Sequence, residues 1–181
     1  EGSKLTDNGS ITFTDLDLTD RAKAVEVTKS VTALAQNGTN ALVLSQTQQQ
    51  DIEAAFTINN TSTNTNNGEV TWDYTISENK LDFLGQGETV TATFTITVTD
   101  DEGAADTQDV IVRIIGSNDS PDIQIVDVNA NIVEGSVLSD TGSITFTDLD
   151  LTDRAVATEA TKSVTAVSQD GVTPLVLTSI Q

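Results

Sequence analysis

Residues 1–48 and 134–181 are two copies of one sequence. Aligned without gaps they agree at 33 of 48 positions, and GSITFTDLDLTDRA is identical in both. The offset of 133 residues exceeds the ~20–50 residues of a solenoid or propeller unit. A period of that size is a whole domain, so the chain reads as a tandem array carrying one period and about a third of the next. The early part of the fold therefore occurs twice, and its later part, residues 49–116, once. The copies differ freely at Lys4/Val137, Lys23/Val156, Val25/Thr158 and Val27/Ala160, while Asp15 to Arg21 recurs unchanged as Asp148 to Arg154.

Within each period, alternation with period two dominates. In TVTATFTITVTD, Val90, Ala92, Phe94, Ile96 and Val98 share one face and Thr91, Thr93, Thr95, Thr97 and Thr99 the other, which is the pattern of a half-buried strand. EVTWDYTIS repeats it with Val70, Trp72, Tyr74 and Ile76 inward. Ile11 and Phe13 mark a further strand, and DVIVRIIG (109–116) and DIQIVDV (122–128) add two more. Turn residues separate them: NGS at 8–10, NGT at 37–39, DDEG at 100–103 and SNDSP at 117–121, with a polar loop over 59–68. Helical turns are expected only near QQQDIEAAF and ENKLDFL. About seven short strands without a sustained helical period predict an all-β sandwich. Pro121 blocks a strand from continuing, so repeat one is placed at 1–116 without its first strand, a linker at 117–122, and the first part of repeat two at 123–181.

The net charge is −20, from 28 acids and 8 bases. Such a field repels phosphate, which excludes nucleic-acid binding by phosphate neutralisation and disfavours an anionic membrane. No stretch approaches the ~20 apolar residues of a membrane span. The opening EGSKLTDNGS lacks a charged-then-apolar signal pattern, and the chain is expected to be a soluble piece of something larger. With no His and no Cys, nucleophilic triads, thiolate or imidazole zinc sites, haem and iron–sulfur clusters are excluded by inventory, as are disulfides. The metals that remain are hard cations held by oxygen.

The sharpest local motif is Asp15-x-Asp17-x-x-Asp20, repeated at Asp148, Asp150 and Asp153. Asp is a poor strand former, so three in six residues end the preceding strand in a loop. Two carboxylates ~5 Å apart repel by ~0.8 kcal/mol in water and ~3 kcal/mol at an effective dielectric of 20. A folded loop holding several therefore needs a cation or raised pKa values, and calcium takes 6–8 oxygens. An EF-hand is excluded because Asp20 stands where that loop needs glycine and both flanks are strands. The competing reading is a solvated acidic turn. The turn Asp100-Asp101-Glu102-Gly103 reads alone as a plain hairpin, and Asn118-Asp119 beside Pro121 offers oxygens at a domain junction. Glycosidase chemistry would need a carboxylate pair in an aromatic-lined cleft. Five of the seven aromatics, Phe13, Trp72, Tyr74, Phe94 and Phe146, are expected to point inward, so no catalytic residue is assigned. The threonine row could face ice or sugar, but it reads first as the solvent face of a strand.

GSITFTDLDLTD, followed by WDYTISENKLDFLGQGETVTATFTITVTDDEGAADTQDVIVRIIGSNDSPDI, resembles the bacterial VCBS repeat over residues 1–122, and the resemblance restarts by 134. That repeat is a cadherin-like domain found in tandem in giant calcium-dependent surface adhesins secreted by type I systems. The resemblance implies an Ig/cadherin-like Greek-key sandwich, calcium as cofactor, and neighbouring repeats as partners. It also implies a ligand set: Glu1 and Glu134, Asp15/Asp17 and Asp148/Asp150, Glu88, Asp100, and Asn118/Asp119. By this carry-over a full junction combines Glu1 and Glu88 of repeat one, the linker's Asn118 and Asp119, and Asp148 and Asp150 of repeat two. Asp15, Asp17 and Asp100 then belong to the junction with a preceding repeat. Asp20 and Asp153 depart from the cadherin pattern, and SNDSP is less acidic than a cadherin linker.

The expectation is a non-catalytic extender module of a bacterial surface adhesin, secreted and stiffened by calcium at inter-domain junctions. The alternative is an adhesive domain that binds sugar, protein or ice. Residues 117–181 lack the counterparts of Trp72 to Ile115, so their apolar strands, near Ile144 and Phe146, are expected to pair with a neighbouring chain.

Overall fold

A computed structural model describes residues 2–60, 65–125 and 127–177. The protein is an all-β chain. Strand β1 spans Lys4–Thr14, β2 Lys23–Leu34, β3 Phe56–Asn60, β4 Asn67–Ser77, β5 Thr89–Thr99 and β6 Ala105–Ile115. They form two three-stranded antiparallel sheets, ordered β1-β4-β3 and β2-β5-β6. Each sheet thus adds a strand distant in sequence, β1 or β2, to a pair of sequence neighbours, β3-β4 or β5-β6.

The inner faces of the two sheets share one hydrophobic cluster. On β5, Val90, Ala92, Phe94 and Ile96 are buried and the intervening threonines are half-buried, as the alternation predicts. On β4, Val70, Tyr74 and Ile76 are buried and Trp72 is half-buried against them. Phe56 stacks on Phe94 across the sheets with ring centroids 4.1 Å apart, and Tyr74 tilts against Phe94 at 6.4 Å. Aromatic pairs in such arrangements add ~0.5–1.5 kcal/mol beyond the area they bury.

Two helical turns lie where expected. Helix α1, Gln46–Glu53, starts at Ser45, whose hydroxyl accepts from Gln48 N–H while Ser45 N–H donates to Gln48 Oε1. This capping box satisfies two otherwise orphaned donors. Ile52 anchors the helix in the core, and the Tyr74 hydroxyl donates to Ile52 O at 3.3 Å. Burial pushes the Tyr74 phenol up to about 12. A 3-10 turn covers Glu78–Lys80. No helix of the described residues is long and apolar enough to cross a membrane.

NGS at 8–10 is not a turn, contrary to expectation. It lies inside β1, with Gly9 opposite Trp72. A β-carbon on Gly9 would sit 2.6 Å from the Trp72 ring, so this glycine makes room for a cross-strand indole rather than reversing the chain. Of the other three turn signals, NGT and DDEG hold, whereas SNDSP at 117–121 is irregular chain without a turn. Asn37 Oδ1 accepts from Thr39 and Asn40 N–H, with Gly38 at φ +70°, and Gly103 closes the β5–β6 hairpin at φ +95°.

The repeated stretch folds only in part. β7, Asp122–Ile125, pairs with β8, Ile144–Thr147, while β9, Ala166–Val167, and β10, Pro174–Leu175, form a two-residue ladder. All residues of β7 and β8 are exposed. Phe146, expected to point inward, is 42% exposed, whereas its counterpart Phe13 is half-buried against the core. The first copy packs against the strands of residues 49–116, and among the described residues no such sheet lies over β7 and β8. A two-stranded ribbon is marginal alone.

Candidate metal centre

The loop DLDLTDR has the same conformation in both copies. Asp17 N–H donates to Asp15 Oδ1 at 2.9 Å, as Asp150 N–H does to Asp148 Oδ1 at 3.1 Å. Asp20 N–H donates to Asp17 O at 3.2 Å, as Asp153 N–H does to Asp150 O at 3.3 Å. The Arg21 guanidinium caps Thr19 O and Asp20 O, and Arg154 caps Thr152 O and Asp153 O. The seven residues therefore encode this turn by themselves, through side-chain to backbone bonds that Asp favours. In each copy the turn brings three carboxylates within 4.8 Å of one another: Asp15, Asp17 and Asp20, and Asp148, Asp150 and Asp153. Both arginines spend their guanidinium groups on carbonyls. The ion pairs of the described residues, Lys29–Asp109 and Lys80–Asp51, lie elsewhere.

What differs between the copies is which acid is buried. In repeat one it is Asp20, 4% exposed, while Asp17 is exposed. The β5–β6 hairpin covers Asp20 and adds Asp100 and Glu102, both within 4.8 Å of it. Asp101 Oδ2 accepts from Arg21 N–H at 3.2 Å and ties the hairpin to the loop. In repeat two it is Asp150, also 4% exposed, while Asp153 is exposed. Here the cover is the far end of repeat one. Asp119 N–H donates to Asp150 Oδ2 at 3.0 Å, Thr152 Oγ1 donates to Glu88 Oε1 at 2.6 Å, and Leu151 N–H donates to Phe83 O at 3.0 Å. Glu88 is 2% exposed, and its second oxygen accepts from Gly85 N–H.

One buried carboxylate oxygen in each cluster, Asp20 Oδ2 and Asp150 Oδ1, has no hydrogen-bond partner. Burial raises the pKa of Asp20 above the ordinary 3.8, and the charges of Asp15, Asp17 and Asp100 raise it further against a hydrogen bond with Glu102. The Asp20 charge in turn raises Glu102. Asp150 is raised first by burial, and its bond from Asp119 N–H opposes this. Buried carboxylates this close, with an unused oxygen and no cationic side chain paired to them, make a donor set that can hold a metal ion.

The other assigned residues fall less evenly. Asp100 lies with Asp20 and Glu102, whereas the resemblance implies it alongside Asp15 and Asp17. Glu88 and Asp119 meet repeat two at the junction, but through Thr152 Oγ1 and through a backbone N–H rather than within the carboxylate cluster. Asn118 is exposed, and its amide donates to Asp119 O. Glu134 is exposed in the turn closed by Val133 and Val137, outside both clusters. Glu1 lies outside the described residues. Sequence reasoning missed Glu102 and Thr152. Glu102 was present in the DDEG turn, but nothing local says that the hairpin folds against the DLDLTD loop.

Metal-free stability should follow the raised groups. Because Asp20, Glu102 and Asp150 have folded pKa values above their unfolded ones, their ionisation opposes folding. Stability is then expected to fall as pH rises from the ordinary carboxylate value through the raised ones. Asp109, Asp140 and Asp170, all lowered by hydrogen bonds, act oppositely and lose their contribution as pH drops through the ordinary value and below. Thermal melts in chelator from pH about 4.5 to about 7.5 should therefore show a declining melting temperature. A profile that is flat or rises toward neutrality would mean that the clusters do not repel.

No family model, curated protein or solved structure matches this chain.

Proposed function

We propose that the chain is a non-catalytic extender module of a secreted bacterial cell-surface adhesin, with calcium held at its inter-domain junctions. The observation that carries this reading is the unpartnered, buried carboxylate oxygen in each acidic cluster, Asp20 Oδ2 and Asp150 Oδ1. The donor sets are all oxygen and carry several negative charges, which suits a hard cation, and calcium tolerates irregular oxygen shells better than magnesium. Asp15, Asp17, Asp20, Asp100 and Glu102 would hold an ion at one end of repeat one, and Asp148, Asp150 and Asp153 at the other. At this second end, Asp150 already accepts from Asp119 and Thr152 reaches Glu88, so an ion there would lock the linker and both repeats together. Extracellular calcium modules bind at ~10⁻⁴–10⁻³ M, a range that is filled outside a cell and empty in cytosol.

Small-angle scattering tests this. Calcium is expected to extend and narrow the distance distribution of the parent chain. Asp148→Ala combined with Asp150→Ala should abolish that change while leaving repeat one folded. Equal extension in the double variant would refute the ligand assignment.

The alternative, an adhesive face on β2-β5-β6, has less support. The Thr95 hydroxyl is engaged with Asp109 Oδ1 at 2.7 Å. The exposed Val25 and Val27 that flank the threonines are Thr158 and Ala160 in the second copy, so the face is not a repeated feature.

A further inference from the structure

The sequence holds three Asn-Gly pairs, Asn8-Gly9, Asn37-Gly38 and Asn67-Gly68. A glycine after asparagine leaves its backbone nitrogen unshielded by a β-carbon, so that nitrogen can approach the asparagine side-chain amide. The fold treats the three pairs differently. Asn8-Gly9 lies in β1 and Asn67-Gly68 in β4. Asp15 N–H donates to Asn66 O, and the alternation of the antiparallel ladder then makes Gly9 with Trp72, and Gly68 with Phe13, hydrogen-bonded pairs. Both glycine N–H groups are thus held inside a ladder. Asn37-Gly38 lies in the exposed turn after β2, where Gly38 N–H donates to Ala35 O at 2.8 Å.

This turn also polarises the asparagine amide. Asn37 Oδ1 accepts from the N–H groups of Thr39 and Asn40, each at 3.0 Å. Attack at Asn37 Cγ places a negative charge on that same oxygen. Two backbone donors already aimed at it stabilise the charge as an oxyanion hole does. The second copy shows the product residue accommodated, since Asp170 occupies the position of Asn37, 133 residues on. Its turn is the same. Gly171 N–H donates to Ser168 O at 2.9 Å, and Gly171 has φ +72° against +70° for Gly38. Asp170 Oδ1 accepts from Val172 and Thr173 N–H, both at 2.9 Å.

We infer that Asn37 is a self-modification site, converted to aspartate and isoaspartate through a cyclic imide with Gly38. The Gly38 nitrogen loses its proton to solvent and attacks Asn37 Cγ. The Cγ–Nδ2 bond breaks, Nδ2 takes up a proton, and ammonia leaves. The imide that remains spans the Asn37–Gly38 linkage, and water opens it at either carbonyl. One route gives aspartate in the turn that Asp170 already holds. The other gives isoaspartate, whose main chain runs through the side-chain carbons. That inserts a methylene into the backbone and breaks the match between residue 37 and the N–H groups of Thr39 and Asn40. The turn that leads from Leu34 to its bridge partner Ala41 is then loosened.

Timed incubation of the full chain at mildly alkaline pH tests the proposal, folded and, in parallel, unfolded in guanidinium chloride. Peptide mapping by mass spectrometry follows aspartate and isoaspartate at each of the three pairs. Backbone bonds of an exposed turn open locally at little cost, whereas ladder bonds open only with their strands. In the folded chain Asn37 is therefore expected to convert at least about tenfold faster than Asn8 or Asn67. In guanidinium chloride that lead should vanish, because the ladders that protect Gly9 and Gly68 are gone. Ion exchange reads the same event as a gain of negative charge. Asn37→Asp should abolish the first such gain and keep the parent melting temperature, as the turn at Asp170 implies. An Asn37 that keeps its amide while folded, converts no faster than Asn8 and Asn67, or holds its lead in guanidinium chloride would overturn the proposal.

Discussion

Calcium at ~10 mM is expected to raise the melting temperature by about 10 °C or more over the chelated chain. A ligand at a hundred times its Kd stabilises the folded state by ~2.7 kcal/mol, and Kd values near 10⁻⁴ M are ordinary for extracellular calcium modules. For a domain a little above 100 residues each kcal/mol moves the midpoint by about 4 °C. Ion binding would also remove a standing penalty, because Asp20, Glu102 and Asp150 are held against their tendency to ionise. Magnesium, which keeps its waters and demands octahedral geometry, should act more weakly. Asp20→Ala should remove much of the calcium response and leave that of the Asp150 cluster. Sodium chloride at matched ionic strength is the control for a chain of net charge −20. If it reproduces the whole shift, the effect is screening and the calcium reading fails.

Phe94→Ala is expected to be the most damaging single substitution. Phe94 is fully buried at the middle of β5, stacked on Phe56 and packed against Tyr74. Truncating such a residue costs ~3–5 kcal/mol, a large part of the ~5–15 kcal/mol that holds a domain together. Phe146→Ala, at a 42% exposed position, should cost less than ~0.5 kcal/mol. Phe13→Ala should fall between them, although Phe13 and Phe146 sit in the same ITFT sequence. Urea unfolding followed by Trp72 fluorescence measures all three, since Trp72 is the one tryptophan and stacks near Phe56. Equal costs for Phe13 and Phe146 would mean that the tail shares the core.

Much of the fold is legible from alternation. The inward rows of β4 and β5 and the DDEG hairpin follow from residue spacing, because each depends on neighbours within a few positions. The same holds for the DLDLTDR turn, which forms identical hydrogen bonds in both copies with different surroundings. The assembled site is less legible. That Glu102 joins Asp20, and that Thr152 reaches Glu88 64 residues away, depends on how the strands are ordered into sheets, and no local pattern carries that order.

Residues 28–33 and 161–166 are both TKSVTA. The first lies in β2, with Val31 opposite Ala92 of β5. The second carries no strand until Ala166. The six residues determine alternation and a preference for extended backbone, as β-branched side chains do. Whether that preference becomes a strand was decided by the tertiary structure. A helix satisfies its backbone within itself, whereas a strand must find its hydrogen bonds on another segment, and of the two copies only residues 28–33 lie beside β5.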